Sequence, residues 1–149
     1  MDEITVKLTR IDPNSELPTP NHATIGSAGL DLTADVNKDI ILQAGASDLV
    51  PTGIKIALPQ GLEAQIRPRS GLAMKFGITI LNSPGTIDSD YRGEIKILMI
   101  NHGKKDFTIK RGSRIAQMII SSYKTVKFDK VTSLDSTARD IGGFGSTGA

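Results

Sequence analysis

The sequence predicts an all-β fold of the sandwich or barrel class, and three observations support that prediction. Apolar and polar residues alternate from Ile4 to Leu8 and from Ile54 to Leu58, with the two-residue period of half-buried strands. Other short apolar runs follow at regular spacing, separated by Gly, Pro, Asn or Asp, as in antiparallel sandwiches and barrels. Only Gly71 to Phe76 looks helical, with room for one or two turns.

The remaining elements are all predicted to be strands. In chain order they are Leu30–Thr33, Asp39–Leu42, Glu63–Arg67, Ile78–Leu81, Ile95–Ile100, Arg114–Ser121 and Lys124–Phe128. Each is short, rich in apolar residues and bounded by turn formers, which is the expected pattern for strands of a small sheet.

Length and composition are those of one domain. The 149 residues show no shift in composition that would divide them, so we expect a single β domain over residues 1–132. Only 4% of the residues are aromatic. The core therefore depends on Val, Ile and Leu, and association of several chains would bury further apolar surface.

Charge and cysteine content narrow the possible functions. A formal charge of +2 and a pI near 8.9 come without the Lys and Arg runs of nucleic-acid surfaces, so we expect no stable nucleic-acid binding. The absence of cysteine excludes disulfides, thiolate metal sites and thiol nucleophiles. The acidic start Met1-Asp2-Glu3 is unlike a signal peptide, and no apolar run matches a membrane span. We therefore expect a soluble, cytoplasmic protein.

The segment from Asn82 to Glu94 concentrates turn formers and reactive side chains. It reads Asn-Ser-Pro-Gly-Thr-Ile-Asp-Ser-Asp-Tyr-Arg-Gly-Glu between two predicted strands. Pro84 and Gly85 predict a tight reversal between those strands, which would hold the polar side chains on a rigid tip. A strand-anchored tip of this kind can form a small-molecule pocket.

Three other segments carry groups suited to an anionic ligand. Asp31 lies at a strand start, Arg67 to Ala73 sets two arginines and a serine before the possible helix, and Gln117 alternates with apolar neighbours. Guanidinium groups, a hydroxyl and free N–H groups at a helix start are complementary to phosphate oxygens. Taken singly, each residue also has an ordinary explanation: Asp31 as a turn cap, Arg69 in a surface ion pair, and Gln117 as a polar residue of an edge strand.

From Ser133 the chain becomes polar and then rich in glycine. It reads Arg-Asp-Ile-Gly-Gly-Phe-Gly-Ser-Thr-Gly over residues 139–148, which cannot form a core of its own. We treat residues 133–149 as a C-terminal arm. Either the arm is a frayed terminus, as most chain ends are, or it is a flexible lid in which Arg139 binds phosphate and Phe144 offers a stacking surface.

Together and in order, these segments resemble the five sequence motifs of the trimeric dUTP diphosphatases, from Ala28 to the C-terminus. The resemblance implies a jelly-roll-like distorted β-barrel or sandwich and a homotrimer with three active sites. Each site would take the Asp31, Arg69 and Gln117 motifs from one chain, the hairpin from a second and the arm from a third. The implied reaction is hydrolysis of dUTP at the α-phosphorus to dUMP and pyrophosphate. That reaction limits uracil incorporation into DNA and supplies dUMP for thymidylate synthesis.

The resemblance assigns the base, the sugar and the attacking water to the hairpin. The residues that would address the hydrogen-bonding edge of uracil are Asn82, Gly85, Thr86 and Ile87. Tyr91 is similar to the residue whose ring lies against deoxyribose and leaves no room for a 2′-hydroxyl, and Lys96 matches a further nucleotide contact. Asp88 resembles the carboxylate that orients and deprotonates the attacking water.

The resemblance assigns the triphosphate to the other motifs. The residues matched to phosphate binding are Arg69, Ser70, Gly71 and Gln117. Mg²⁺ would bridge the triphosphate oxygens, and Asp31 would reach it through the waters that this ion retains. The arm residues matched to the nucleotide are Arg139 on the terminal phosphate, Phe144 on uracil, and Gly145. Asp140 stands where the family has glycine, and its carboxylate would either repel phosphate or face solvent.

Two other functions stay open at this point. A dCTP deaminase shares the fold and the phosphate site but activates water at the base with a glutamate. A non-catalytic regulatory trimer would bind dUTP without releasing pyrophosphate. Tyr91, the hairpin and the glycine-rich arm favour the diphosphatase over the deaminase, and Asp88 favours it over the regulator. His22 and His102 lack metal-ligand spacing and receive no role.

Overall fold

The computed structural model describes residues 3–148, so Met1 and Asp2 of the acidic start, and Ala149 at the end of the arm, lie outside the described residues. Within the described range the chain forms strands and one short helix. The strands are β1 (Lys7–Arg10), β2 (Leu30–Thr33), β3 (Ile40–Leu42), β4 (Ser47–Pro51), β5 (Ile54–Ala57), β6 (Leu62–Arg67), β7 (Ile78–Ile80), β8 (Gly85–Ile87), β9 (Lys96–Asn101), β10 (Phe107–Ile109) and β11 (Arg114–Ser122), and the helix is α1 (Ser70–Phe76). The predicted all-β fold with one short helix is confirmed.

The strands form two larger antiparallel sheets and two separate pairs. One sheet has the order β2-β11-β6-β8 and the other β4-β9-β7, while β1 pairs with β5 and β10 with β3. Among residues 3–148 the strands do not close into a barrel. A single apolar cluster joins the sheets, with Leu32 and Ile66 from the first and Val50, Ile97 and Met99 from the second. Burial of these aliphatic side chains is the main source of stability in so aromatic-poor a chain.

The arms of the predicted hairpin pair as expected. Strand β7 runs antiparallel to β9, with Ile78 opposite Asn101 and Ile80 opposite Met99. The predicted tight reversal at Pro84 and Gly85 is wrong, because Gly85 begins β8, which leaves this sheet and pairs with β6 of the other one, with Gly85 opposite Ile66. The loop therefore connects the two sheets, and the residues after β8 are anchored on both sides.

Helix α1 follows β6 directly and is seven residues long. Gly77 ends it in the left-handed conformation, at φ 69°, and its N–H donates to the carbonyl of Ala73, a usual glycine-terminated helix end. Arg69 is the N-cap residue and no side chain caps the helix start. The N–H groups of the first turn are thus left for other partners. No helix in the described part of the chain is long and apolar enough to cross a membrane.

Two of the predicted strands are wrong in whole or in part. The first strand begins at Lys7 rather than Ile4, since pairing with β5 starts there. Residues 124–128 form no strand, and Val126 and Phe128 are 73% and 88% exposed. Among residues 3–148 no strand pairs with this segment, and strand formation depends on such a neighbour.

Three observed strands were not predicted. Strand β4 contains Ser, Asp and Pro, and β8 and β10 are only three residues long. Each is held by a longer or more apolar partner, namely β9, β6 and β3. Tertiary pairing therefore overrides weak local preference at these segments.

Candidate active site

The loop between β8 and β9 lines a pocket of about 480 Å³. Its walls are Leu49, Thr86, Ile87, Asp88, Tyr91, Glu94 and Lys96. The structure thus brings together five residues that the sequence assigned to nucleotide contact or catalysis. Leu49, on β4, and Glu94 were not predicted as site residues. Leu49 is 49% exposed, and an exposed leucine on a strand with a poor strand sequence gives little signal in the sequence alone.

Hydrogen bonds fix the shape of this loop. The Tyr91 N–H donates to the Asp88 carbonyl at 3.1 Å, and the Tyr91 hydroxyl donates to the Glu94 carbonyl at 2.9 Å. The Glu94 carboxylate in turn accepts the Gly53 N–H at 3.0 Å and lies 3.8 Å from the Lys96 ammonium. The loop is therefore tied by hydrogen bonds to the turn at Gly53.

Asp88 is exposed in this pocket. Among residues 3–148 no hydrogen bond or ion pair engages its carboxylate, although its backbone carbonyl is used by Tyr91. A carboxylate with free lone pairs on the wall of a pocket can accept a proton from a water molecule bound there.

Asn82 and Gly85 lie together at the entry to β8. A Cβ atom at position 85 would lie 3.3 Å from both the Asn82 side-chain nitrogen and the Ile66 Cβ. Glycine therefore lets the Asn82 amide approach the backbone of β8 closely. Asn82 therefore lies in space beside the strand that carries the other predicted uracil contacts. Asn82 and Gly85 are not among the residues that line the pocket, whereas Thr86 and Ile87 are.

A second group of predicted site residues lies on β2, β11 and the end of β6. Gln117 is opposite Asp31 on one side and opposite Arg67 on the other. Asp31 accepts contacts from two guanidinium groups, Arg69 at 3.2 Å and Arg114 at 3.2 Å. Arg69 also donates to the backbone carbonyl of Arg114 at 3.2 Å. Two cations around one carboxylate leave this cluster positively charged, which suits an anionic ligand.

Arg114 is the member of this cluster that sequence reasoning missed. It stands three residues before Gln117 in the same motif, so an odd spacing along the strand hid its relation to Asp31. The strand irregularity between Arg114 and Ala116 accounts for this placement, because a bulge re-aims the side chains that flank it.

Gln117, Ser70 and Gly71 complete the second group. The Gln117 side-chain amide donates to the Pro68 carbonyl at 2.9 Å and is packed so closely on Gly29 that any side chain at position 29 would overlap it. Ser70 and Gly71 are exposed at the start of α1. The amide of Gln117 therefore sits directly beside the segment that leads into the helix.

The two groups are held at different positions along β6. Ile87 is opposite Ala64, and Gln117 is opposite Arg67. At about 3.3 Å per residue, positions 64 and 67 are roughly 10 Å apart along the strand. The residues that line the Asp88 pocket include no member of the Arg69 cluster.

The arm residues stand apart from both groups. Arg139 Nε donates to the Gly142 carbonyl at 2.9 Å, Phe144 is fully exposed, and Gly145 has φ 85°. The hydrogen bonds recorded for residues 133–148 all stay within the segment that ends the chain. Asp140 adopts φ 45°, a left-handed conformation that glycine adopts freely and aspartate tolerates.

Residues 3–148 contain no group of three or more His, Cys, Asp or Glu side chains arranged to hold a metal ion. Asp31 is the acidic residue that the sequence linked to magnesium. Both of its oxygens face guanidinium groups, Oδ1 that of Arg69 and Oδ2 that of Arg114.

Comparison with known proteins points to one family. The dUTPase family profile matches residues 15–148. The deoxyuridine 5′-triphosphate nucleotidohydrolase of Rickettsia massiliae is 57% identical over 143 residues, which is 96% of each chain. That of Rickettsia typhi is 57% identical over 148 residues, or 99% of each chain.

Solved structures share the fold at much lower identity. The G164S mutant of the Staphylococcus bacteriophage 80alpha dUTPase, solved with dUpNHpp, is similar at a TM-score of 0.86 and 21% identity, covering 97% of this chain and 99% of the other. A dUTPase mutant from phage phi11 of S. aureus, described with a coordinated structural Mg(II) ion, gives a TM-score of 0.78 at 19% identity, over 89% and 100% of the two chains.

Proposed function

The chain belongs to the dUTPase family, and we propose that its Asp88 pocket, its Arg69 cluster and its arm together hydrolyse dUTP at the α-phosphorus. The products are dUMP and pyrophosphate. The observation that carries this proposal is the pocket of the β8–β9 loop, where Asp88, Tyr91 and Lys96 share one cavity. The reaction needs a group that activates water close to groups that hold the nucleotide. Asp88 is suited to the first role, and Tyr91 and Lys96 are suited to the second.

In this proposal the loop reads the base and the sugar. The backbone of β8 and the Asn82 amide present fixed donors and acceptors to uracil, and a buried group left unpaired by cytosine costs roughly 1–3 kcal/mol. The close approach of Asn82 to Gly85 supports a tight site, in which the extra methyl of thymine would clash. Tyr91 lies on the sugar side and excludes a 2′-hydroxyl.

Asp88 is the proposed general base. It takes a proton from the attacking water as that water forms a bond to the α-phosphorus, and pyrophosphate leaves. Such a base typically contributes about 10²–10⁴ in rate. The exposed carboxylate on the pocket wall supports this role because a water can reach it.

The Arg69 cluster is the proposed holder of the triphosphate. Arg69, Ser70, Gly71 and Gln117 supply a guanidinium, a hydroxyl, uncapped N–H groups and an amide. Arg114 keeps Asp31 paired, so that Arg69 is not fully neutralised by that carboxylate. Charge-assisted donors of this kind also stabilise the charge that develops during phosphoryl transfer.

Magnesium is the proposed cofactor, in keeping with the family. When bound, Mg²⁺ would offset the negative charge of the triphosphate. Asp31, held by two guanidinium groups, would accept hydrogen bonds from the waters around the ion.

The working unit is proposed to be a homotrimer with shared active sites. The lining of the Asp88 pocket supports it, since that lining includes no member of the Arg69 cluster of the same chain. A second copy would supply the loop, and a third the arm, with Arg139 on the terminal phosphate and Phe144 and Gly145 over the base. We propose that the enzyme acts in the cytoplasm, without stable nucleic-acid or membrane binding.

A pyrophosphate-release assay with dUTP, dTTP, dCTP and UTP tests the reaction. We expect turnover of dUTP and little of the other three. Ammonia release from dCTP would instead indicate a deaminase, and tight dUTP binding with no pyrophosphate would indicate a regulatory protein. The family membership and the retained Asp88 do not favour either alternative.

A further inference from the structure

Gly93 lies directly against the side chain of Tyr91. A Cβ atom at position 93 would lie 2.5 Å from Tyr91 Cζ and closer still to the hydroxyl. The backbone does not demand glycine here, because Gly93 is not among the glycines with positive φ. The requirement at position 93 is therefore for space, and the group that occupies the space is the Tyr91 phenol.

The phenol folds back on its own loop at this point. Its hydroxyl donates to the Glu94 carbonyl, while the Tyr91 N–H donates to the Asp88 carbonyl. The acceptor is itself held in place, since Gly53 donates to the Glu94 carboxylate and Ile95 donates to Ile54. Tyr91 is thus held at its backbone N–H and at its hydroxyl, although 43% of the residue is exposed.

We infer that Gly93 is a positioning residue that sets the orientation of Tyr91 and thereby the exclusion of ribonucleotides. The inference rests on the proposed placement of Tyr91 beside the sugar. A methyl group at position 93 must displace something, and the phenol moves most readily because it is the end of a side chain that can rotate. The Glu94 backbone is anchored on two sides and stays in place. A displaced ring would leave room for a 2′-hydroxyl.

Three variants of the full-length chain separate this role from general disruption. Gly93→Ala introduces the methyl group, and Tyr91→Phe keeps the ring but removes its hydrogen bond to Glu94. Gly26→Ala is the matched control, because a Cβ atom there meets nothing within 4 Å. Thermal unfolding of each variant first establishes that it is folded.

The first readout is the tyrosine ring itself, without nucleotide. The chain has two tyrosines, so ¹³C-tyrosine labelling gives two sets of ring signals, and Tyr91→Phe identifies that of Tyr91. We expect Gly93→Ala to shift or broaden the Tyr91 signal and to leave Tyr123 unchanged, with no change in Gly26→Ala. An unchanged Tyr91 signal in folded Gly93→Ala would overturn the inference.

The second readout is the ratio of kcat/KM for dUTP to that for UTP. We expect Gly93→Ala to lower this ratio roughly tenfold, the scale that one small group is worth in a pocket, mainly through a lower KM for UTP. Tyr91→Phe should lower it in the same direction, and Gly26→Ala should not.

Tyr91→Ala separates the inferred role of Gly93 from the proposed contact between Tyr91 and the sugar. If it lowers the ratio and Gly93→Ala does not, the inference is wrong while the proposed role of Tyr91 stands. If Tyr91→Ala leaves the ratio unchanged in an active enzyme, the proposed sugar contact itself is wrong.

Discussion

Mixed trimers provide the sharpest test of shared active sites. Arg69→Ala damages the phosphate cluster and Asp88→Asn damages the loop, so each variant alone should be nearly inactive. Because the pocket that Asp88 lines does not include Arg69 of the same chain, the proposal assigns these two residues to different sites of the same trimer. Unfolding the two variants together and refolding them would then create some sites with an undamaged copy of each group.

The expected recovery follows from counting. In an equal, random mixture, a site takes its phosphate cluster from an Asp88→Asn chain about half of the time. It takes its loop from an Arg69→Ala chain about half of the time, so about one site in four is intact in a cyclic trimer. If each parent keeps about 1% of wild-type kcat, as loss of a general base implies, the mixture is about 25 times more active than either.

The assay is pyrophosphate release from dUTP before and after refolding, with each parent refolded alone. Arg69→Ala mixed with Gln117→Ala is the control. Both residues belong to the cluster on one chain, so no site in that mixture has an intact cluster and no recovery is expected. Activity equal to the mean of the parents in the first mixture, or recovery in the control, would refute the proposed division.

The remaining predictions concern single residues and the arm. Asp88→Asn should bind dUTP with nearly unchanged affinity in calorimetry but lose about 10²–10⁴ in kcat, and near-normal turnover would remove Asp88 from the mechanism. Truncation before Arg139 should leave the thermal unfolding and the sedimentation of the protein unchanged while kcat/KM falls strongly; wild-type rates would disprove the lid. Asp140→Gly should lower the KM for dUTP or leave it unchanged, because it removes a negative charge at a left-handed position where glycine is unstrained. A clear rise in KM would show that the carboxylate assists binding.

Much of the fold could be predicted because its strands carry their own pattern. Burial alternates along β5 and β9 as the sequence indicates, and α1 ends at a glycine. The short strand β8 was not predictable in this way. Its three residues have no period of their own, and their pairing with β6 is decided by the tertiary structure.

The site residues were predictable as types and as segments, but their contacts were not. The sequence indicated that Asp31, Arg69 and Gln117 belong together, and sheet pairing does place them side by side. It did not indicate Arg114 or Gly93. A bulge decides where Arg114 points, and the need for glycine at position 93 arises only from the folded-back phenol of Tyr91.

In the proposed trimer, strand β6 links two parts of the chain that would serve different nucleotides. Its C-terminal end leads into Arg69 and the helix start, and its residues Ala64, Gln65 and Ile66 hold β8 and hence the loop that carries Asp88. The residues that line the Asp88 pocket include no member of the Arg69 cluster. If the active sites are shared as proposed, a dissociated chain would bind parts of dUTP but would not hydrolyse it.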